Sequence, residues 1–342
     1  MTMIRGTVSR DDGIYECFPD ITRLDSGELI CVYRESEGHV PGEYTRIVTR
    51  TSQEEGANWG EKSVVSITKG SARKVPGWNC PRISGFGDGR CAIVCDSLRW
   101  PERGDLSRRS RIHLWVSDDG MAWEGGWETG ATGIVPDRIS PFGDEWFLGT
   151  HERSPETGKL RQILWRSIDK RSWDRAAVVA DDPGLDLCEG SLVSKGPEMA
   201  CLMRENSGRG LPGYISRSGD SGQTWTPAER TSIPGCHRPV AGWWGDEILV
   251  TFRCYAGAGM KNTLMMGALM DSETIFHPGE SSSGRIFPID YDRSPYPDTG
   301  YSGWCELPGG DVIVAYYIND DAPRAQIRSC RFSRDDLEFG HR

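Results

Sequence analysis

The 342-residue chain contains no run approaching the ~18 consecutive apolar residues of a membrane helix. Its first residues, Met1-Thr2-Met3-Ile4-Arg5-Gly6-Thr7-Val8, lack the apolar core of a secretory signal. As it stands, the sequence predicts a cytoplasmic chain without a membrane partner. Basic residues are also in deficit: 40 Lys plus Arg face 50 Asp plus Glu, a formal charge of −10. No net counterion release would favour a phosphate backbone, so nucleic acid is not an expected partner. Cysteine is present but unarranged. The eleven cysteines are an odd number, none forms a C-x-x-C pair, and several sit in apolar runs such as Leu29-Ile30-Cys31-Val32-Tyr33 and Cys91-Ala92-Ile93-Val94-Cys95. This pattern predicts reduced, buried thiols rather than a disulfide framework or a zinc site. The histidines at 113, 151, 277 and 341 show no metal-ligand spacing, and no cofactor is expected.

Turn formers are plentiful. With 42 Gly and 20 Pro beside 37% hydrophobic and 26% charged residues, the chain reads as many short strands. A repeat orders them. Ser218-Gly219-Asp220-Ser221-Gly222-Gln223-Thr224-Trp225 reads S-x-D-x-G-x-T-W, and weaker copies occupy Ser52–Trp59, Ser117–Trp123 and Ser167–Trp173. Two worn copies, Asp271–Phe276 and Ser333–Phe339, complete a set whose closing aromatics are spaced by 64, 50, 52, 51 and 63 residues. Propeller repeats run ~40–50 residues, so the spacing predicts six blades. A second series agrees: a turn and an apolar strand precede every box, at Asp25-Ser26-Gly27, Gly87-Asp88-Gly89, Gly143-Asp144-Glu145, Lys195-Gly196-Pro197, Trp244-Gly245-Asp246 and Pro308-Gly309-Gly310. The expectation is an all-β, six-bladed β-propeller of four-stranded antiparallel blades, one domain over residues 1–342. Too little chain follows Phe339 for a last outer strand, so Met3–Arg10 is expected to supply it and close the ring. The boxes themselves read as turns, with Asp and Ser tying down backbone and Trp packing between sheets.

In this architecture inner strands start, and second strands end, at one rim. The predicted starts are Asp20, Arg82, Arg138, Glu189, Arg238 and Tyr301-Ser302; the predicted ends are Arg34, Asp96, Glu152, Arg204, Arg253 and Tyr317. Charged side chains converging in a funnel suggest a site, with an ion-pair network stapling the blades as the alternative.

On these residues the chain resembles the sialidase (neuraminidase) superfamily of Asp-box glycosidases over essentially its whole length. Glu189-Gly190-Ser191-Leu192 followed by Met203-Arg204-Glu205-Asn206, and Gly300-Tyr301-Ser302 followed by Val314-Ala315-Tyr316-Tyr317, carry the resemblance. It implies an exo-acting hydrolase of a terminal acidic sugar, with Tyr301 as nucleophile, Glu189 as its base and Arg204 on the substrate carboxylate. A phenol is a poor nucleophile at its usual pKa near ~10 and needs such a base. A tyrosine also avoids the repulsion that a carboxylate nucleophile would meet at an anomeric carbon bearing a carboxylate. The general acid is implied in the loop Arg34–Glu43, where Glu37 and His39 are the candidates.

Two departures stand out. Cys17-Phe18-Pro19 occupies the place of the family's Arg-Ile-Pro, and Met260-Lys261-Asn262-Thr263 stands near its expected third arginine. Arg34, Arg82, Arg138 and Arg238 are the candidates for rebuilding the anion clamp, with Asp20, His237 and Tyr317 as further substrate contacts. Trp78, Trp100, Trp243, Trp244 and Trp304 are candidates for stacking on sugar faces or for packing between blades. The alternatives left open are a glycosidase or polysaccharide lyase acting on another sugar, and a carbohydrate-binding propeller without turnover.

Overall fold

The computed structural model describes residues 3–100, 110–255, 263–277 and 284–337. Their strands form six antiparallel sheets set as blades in a ring, a six-bladed β-propeller. Blade one comprises Tyr15–Arg23, Leu29–Ser36, Tyr44–Ser52 and Ser63–Lys69, from the axis outward. The inner two strands of the later blades are Glu145–Arg153 with Ser140–Phe142, Leu187–Lys195 with Glu198–Glu205, Cys236–Trp244 with Glu247–Cys254, and Thr299–Glu306 with Val312–Ile318. In blade two the inner strand is split into Gly77–Trp78 and Arg82–Gly85, both paired with Cys91–Leu98. Pro81 sits in the gap, where a residue without an N–H interrupts the ladder.

The ring closes as the sequence predicts. Ile4–Ser9 pairs antiparallel with Gln326–Phe332, in register Ile4↔Arg331 to Thr7↔Arg328, and becomes the outermost strand of blade six. Closure removes an exposed sheet edge.

Burial explains why the second strands are nearly continuous apolar runs. Every residue of Leu29–Ser36, Cys91–Leu98 and Val312–Ile318 is buried, because neighbouring blades cover both faces. The outer strand Ser63–Lys69, at the outer edge of its blade, has no fully buried residue. Core clusters fill the gaps between blades, as with Trp244, Phe287, Tyr316 and Phe332 between blades five and six. Each fully buried side chain of this size contributes about 1.5–3 kcal/mol. All eleven cysteines are free thiols, nine of them buried.

The box turns hold themselves together. Ser218 Oγ accepts from Gly222 N at 2.9 Å, Asp220 Oδ1 accepts from Thr224 N at 2.9 Å, and Trp225 Nε1 donates to Gly222 O at 3.0 Å. Asp119 and Asp169 repeat the carboxylate contact in blades two and three. In blade five the worn copy has become a one-turn helix, Ser272–Phe276, capped by Asp271. In blade six Ser333 and Asp336 bond in front of a short 3-10 turn; Phe339 lies outside the described residues. The boxes lie level with the starts of the second strands, as in Leu29↔Ser52, at the rim opposite the ends of those strands.

Adjacent blades are also stapled by one repeated hydrogen bond near the axis. Asp20 Oδ2 accepts from Ile83 N at 3.0 Å, Asp137 Oδ2 from Leu192 N at 2.8 Å, and Ser191 Oγ from Ala241 N at 3.0 Å.

Candidate active site

The inner strands carry a bulge where they open the axial mouth. The register skips between Cys17 and Asp20, Cys188 and Ser191, His237 and Val240, and Gly300 and Ser302. At each bulge one residue takes a left-handed backbone: Phe18 (φ 55°), Glu189 (φ 49°), Arg238 (φ 51°) and Tyr301 (φ 30°), with Val135 (φ 51°) level with them in blade three. Such conformations in non-glycine residues cost roughly 1–3 kcal/mol each and persist only where surrounding structure enforces them. The glycines beside them show the crowding. A Cβ on Gly190 would fall 2.7 Å from Gln162 Cδ, and one on Gly300 (φ 137°) would fall 2.7 Å from Arg253 Cδ.

The bulges bring Tyr301 of blade six onto Glu189 of blade four. The Tyr301 hydroxyl donates a short hydrogen bond to Glu189 Oε1. Arg204, on the second strand of blade four, donates from Nη1 to both Glu189 oxygens at 2.9 and 3.0 Å and to the Tyr301 oxygen at 3.3 Å; Asn206 holds its Nη2. Burial works to raise the Glu189 carboxyl, but Arg204, His151 and the Tyr301 hydrogen bond outweigh it and hold it down to about 2. Burial and the Glu189 charge push the Tyr301 phenol well above its ordinary value. The free site thus holds an ionised carboxylate beside a protonated phenol.

Arg253 forms the next wall. Its guanidinium lies 5.2 Å from the centre of the Tyr301 ring. Among the described residues its hydrogen bonds go to neutral partners, the Tyr317 hydroxyl and His237 Nδ1, both at 3.4 Å. Among the described residues no carboxylate lies within ion-pair distance of it, although it is buried. Burial, with Arg204 and Arg253 nearby, drives His237 down to about 2, so this imidazole is neutral and accepts from Arg253. Tyr317 in turn donates to Asp298 Oδ1 at 3.1 Å. The Phe18 ring packs against Tyr301 at 5.0 Å and Tyr317 at 5.6 Å, an apolar floor in blade one.

Of the residues named from the sequence, Glu189, Arg204 and Tyr301 come together, with Tyr317, His237 and His39 around them. The other arginines do not join them. Asp20, expected at the mouth, is fully buried two residues deeper and binds Arg138 Nε at 3.0 Å and Arg82 Nε at 3.3 Å. Arg138 continues to Ile21 O and Trp304 O, and Arg82 donates to Ser302 O at 2.8 Å. The reason is register: the bulge places Phe18, Cys80 and Val135 level with Glu189, not Asp20, Arg82 and Arg138. Arg238 is level with Glu189, but its Nη2 is bound to Pro136 O at 2.8 Å. Arg34 is buried and serves the loop that follows it, donating to His39 O at 2.7 Å. Glu37 accepts from Gly42 N and Glu43 N at 3.0 and 2.9 Å, and these loop amides overcome the effect of its partial burial and lower its pKa. A carboxylate so held is a loop staple, not a proton donor.

Blade three needs the same correction of register. His151, not Glu152, ends its second strand at the mouth, pairing with Ile134 and receiving Glu189 N at 3.2 Å. Glu152 instead pairs with Arg161 and Arg175. Arg253 was placed at the mouth as a strand end but given no role, while Asp298 and Tyr15 lie outside any motif and were not singled out. Trp78, Trp243, Trp244 and Trp304 pack between blades, and Trp100 lies beside Arg34 at 5.9 Å. Met260, Lys261, Asn262 and His341 fall outside the described residues.

A six-bladed propeller with a Tyr–Glu–Arg constellation at its mouth has the fold of the sialidases, and solved structures bear out the fold. A protein of unknown function from Dyadobacter fermentans matches at 18% identity with a TM-score of 0.75, covering 96% of this chain and 97% of that one. The K499G mutant of NanB sialidase from Streptococcus pneumoniae matches at 12% identity (TM-score 0.70), over 95% of this chain and 69% of the other. Trypanosoma rangeli sialidase, in complex with the inhibitor DANA, matches at 12% identity (TM-score 0.69) over 96% of this chain; the match spans about three fifths, 59%, of that longer protein. No family model and no curated protein matches the chain.

Proposed function

We propose that the protein is an exo-acting glycoside hydrolase that releases a terminal acidic sugar, with Tyr301 as nucleophile and Glu189 as its base. The observation that carries this reading is the hydrogen bond from the Tyr301 hydroxyl to an ionised, buried Glu189, made from two left-handed bulges on different blades. Tyr301 oxygen attacks the anomeric carbon while its proton passes to Glu189, and the bond to the leaving oxygen breaks. Water then displaces the tyrosine, which recovers its proton.

Arg204 couples binding to chemistry. In the free site it neutralises Glu189 and keeps it a weak base; a substrate carboxylate arriving at Arg204 competes for that guanidinium and makes Glu189 a stronger one. The acidic character of the sugar rests on Arg253. A buried cation without an anionic partner is costly, and a substrate carboxylate forked between Arg253 and Arg204 relieves that cost. Phe18 stands where the resemblance leads one to expect an arginine, which favours an acidic sugar with an apolar edge over ordinary sialic acid. The shared fold with two sialidases supports the reaction class.

The test is hydrolysis of 4-methylumbelliferyl glycosides of sialic acid, its deaminated analogue, uronic acids and rhamnose by wild type and Tyr301→Phe. Release from an acidic sugar that drops by at least ~10²-fold in the variant, ~2.7 kcal/mol of transition-state stabilisation, is the expected result. Undiminished turnover by Tyr301→Phe overturns the reading, and a panel without any turnover favours the binding propeller.

A further inference from the structure

Tyr301 and Glu189 leave one proton unassigned: the one that the departing sugar oxygen must receive. His39 packs edge-on at 5.3 Å against the same Phe18 ring that packs on Tyr301. The backbone of His39 is held by Arg34, and half of its side chain remains open to solvent. Its Nδ1 is 3.1 Å from the Tyr15 hydroxyl and 3.8 Å from Asp298 Oδ2. Tyr15 has a single hydroxyl proton and donates it to Asp298 Oδ2. Its oxygen is therefore left to accept, so the hydrogen between Tyr15 and His39 belongs to Nδ1. Tyr317 fills the other Asp298 oxygen. Burial works to raise the Asp298 carboxyl, yet the contacts with His39 and Tyr15 hold it below its usual value, which keeps it an anion.

We propose that His39 is the general acid of the reaction proposed above, and that Tyr15 and Asp298 are positioning residues, a phenol-bridged relay that fixes the Nδ1 proton and aims Nε2–H at the glycosidic oxygen. The inference rests on the hydrolase reading and completes its proton balance. In the first step the Nε2 proton moves to the leaving oxygen as its bond to the anomeric carbon breaks. In the second, neutral His39 takes a proton from the attacking water while Glu189 returns its proton to Tyr301. Among the described residues the charged and titratable groups around His39 are Tyr15, Asp298, the Arg34 guanidinium on its carbonyl, and Glu37, whose carboxylate turns to the Gly42 and Glu43 amides.

Leaving groups provide the test. A good leaving group, such as 4-methylumbelliferone, needs little protonation, whereas a sugar alcohol needs it fully. For His39→Gln we expect kcat/KM on a sugar-linked substrate to fall ~10²–10³-fold, with less than ~10-fold loss on the 4-methylumbelliferyl glycoside of the same sugar. Asp298→Asn and Tyr15→Phe should reproduce the same split, losing ~10-fold or more in kcat/KM on the sugar-linked substrate while largely sparing the 4-methylumbelliferyl glycoside, which a merely structural role would not do. Equal losses on both leaving groups in His39→Gln, or in both relay variants, overturn the proposal while leaving Tyr301 untouched. An unimpaired Tyr301→Phe instead removes the reading beneath it.

Discussion

The two halves of the ring use the same positions differently. At the bulges, blades four to six present Glu189, Arg238 and Tyr301, while blades one to three present Phe18, Cys80 and Val135. At the second-strand ends, blades four to six offer Arg204, Arg253 and Tyr317 to the mouth. Blades one and two tie theirs up, Arg34 to its own loop and Asp96 to Cys80 N and Val135 N at 2.9 and 3.0 Å. In the first half Asp20 neutralises Arg82 and Arg138; in the second half no carboxylate among the described residues lies within ion-pair distance of Arg253. The lesson is that a buried arginine near a propeller axis says little until its carboxylate is located. Arg82 and Arg138 are spent on Asp20, Arg34 and Arg238 on backbone carbonyls, and Arg253 reaches a phenol and a neutral imidazole.

Substitutions that strike one half and spare the other sharpen this contrast. The largest effect on stability is expected from Asp20→Ala, which strands the buried Arg82 guanidinium and the partly exposed Arg138; breaking a buried pair costs about 3–5 kcal/mol, measurable by urea unfolding. If Asp20→Ala is nearly neutral, the internal pairing of the first half is not structural. Arg253→Gln is expected to do the reverse, raising KM for the acidic substrate ~10²-fold while leaving unfolding unchanged or slightly harder, since no carboxylate loses its partner. The smallest effect concerns pH. The unfolded His237 protonates near ~6.5, whereas burial keeps the folded one neutral down to about 2. The unfolded state therefore binds the extra proton between these values, and the stability present above pH ~6.5 is lost as pH falls. Between pH ~6.5 and ~5.5 this amounts to ~1 kcal/mol, which His237→Gln should abolish in denaturant titrations at the two pH values. Glu189 works in the same direction at lower pH. Its stabilisation, complete above the unfolded carboxyl value of ~4.3, fades as pH falls toward about 2.

Local signals made much of this protein legible. A box motif closes on itself through Ser, Asp, Gly and Trp within eight residues, so its spacing could be counted, and the count predicted six blades and a ring closed by the N-terminal strand. Glu189, Arg204 and Tyr301 could be placed because each sits in a short recognisable context. The roles of the remaining arginines were not legible in the same way. A bulge of two residues decides whether Asp20 or Phe18 faces the mouth, and nothing in Cys17-Phe18-Pro19-Asp20 alone distinguishes the two registers.

The sequence by itself determined the repeat and the architecture, because these depend on periodicity, while the Tyr–Glu–Arg nucleus was legible through the family resemblance of short contexts on two blades. Only the tertiary structure decided that Arg82 and Arg138 are spent on Asp20, that Arg253 is free of any carboxylate among the described residues, and that Tyr15 joins His39 to Asp298. Those partnerships cross blades, spanning up to 283 residues of chain from Tyr15 to Asp298. Which charge finds which partner is set by how the closed ring packs, and no local pattern records it.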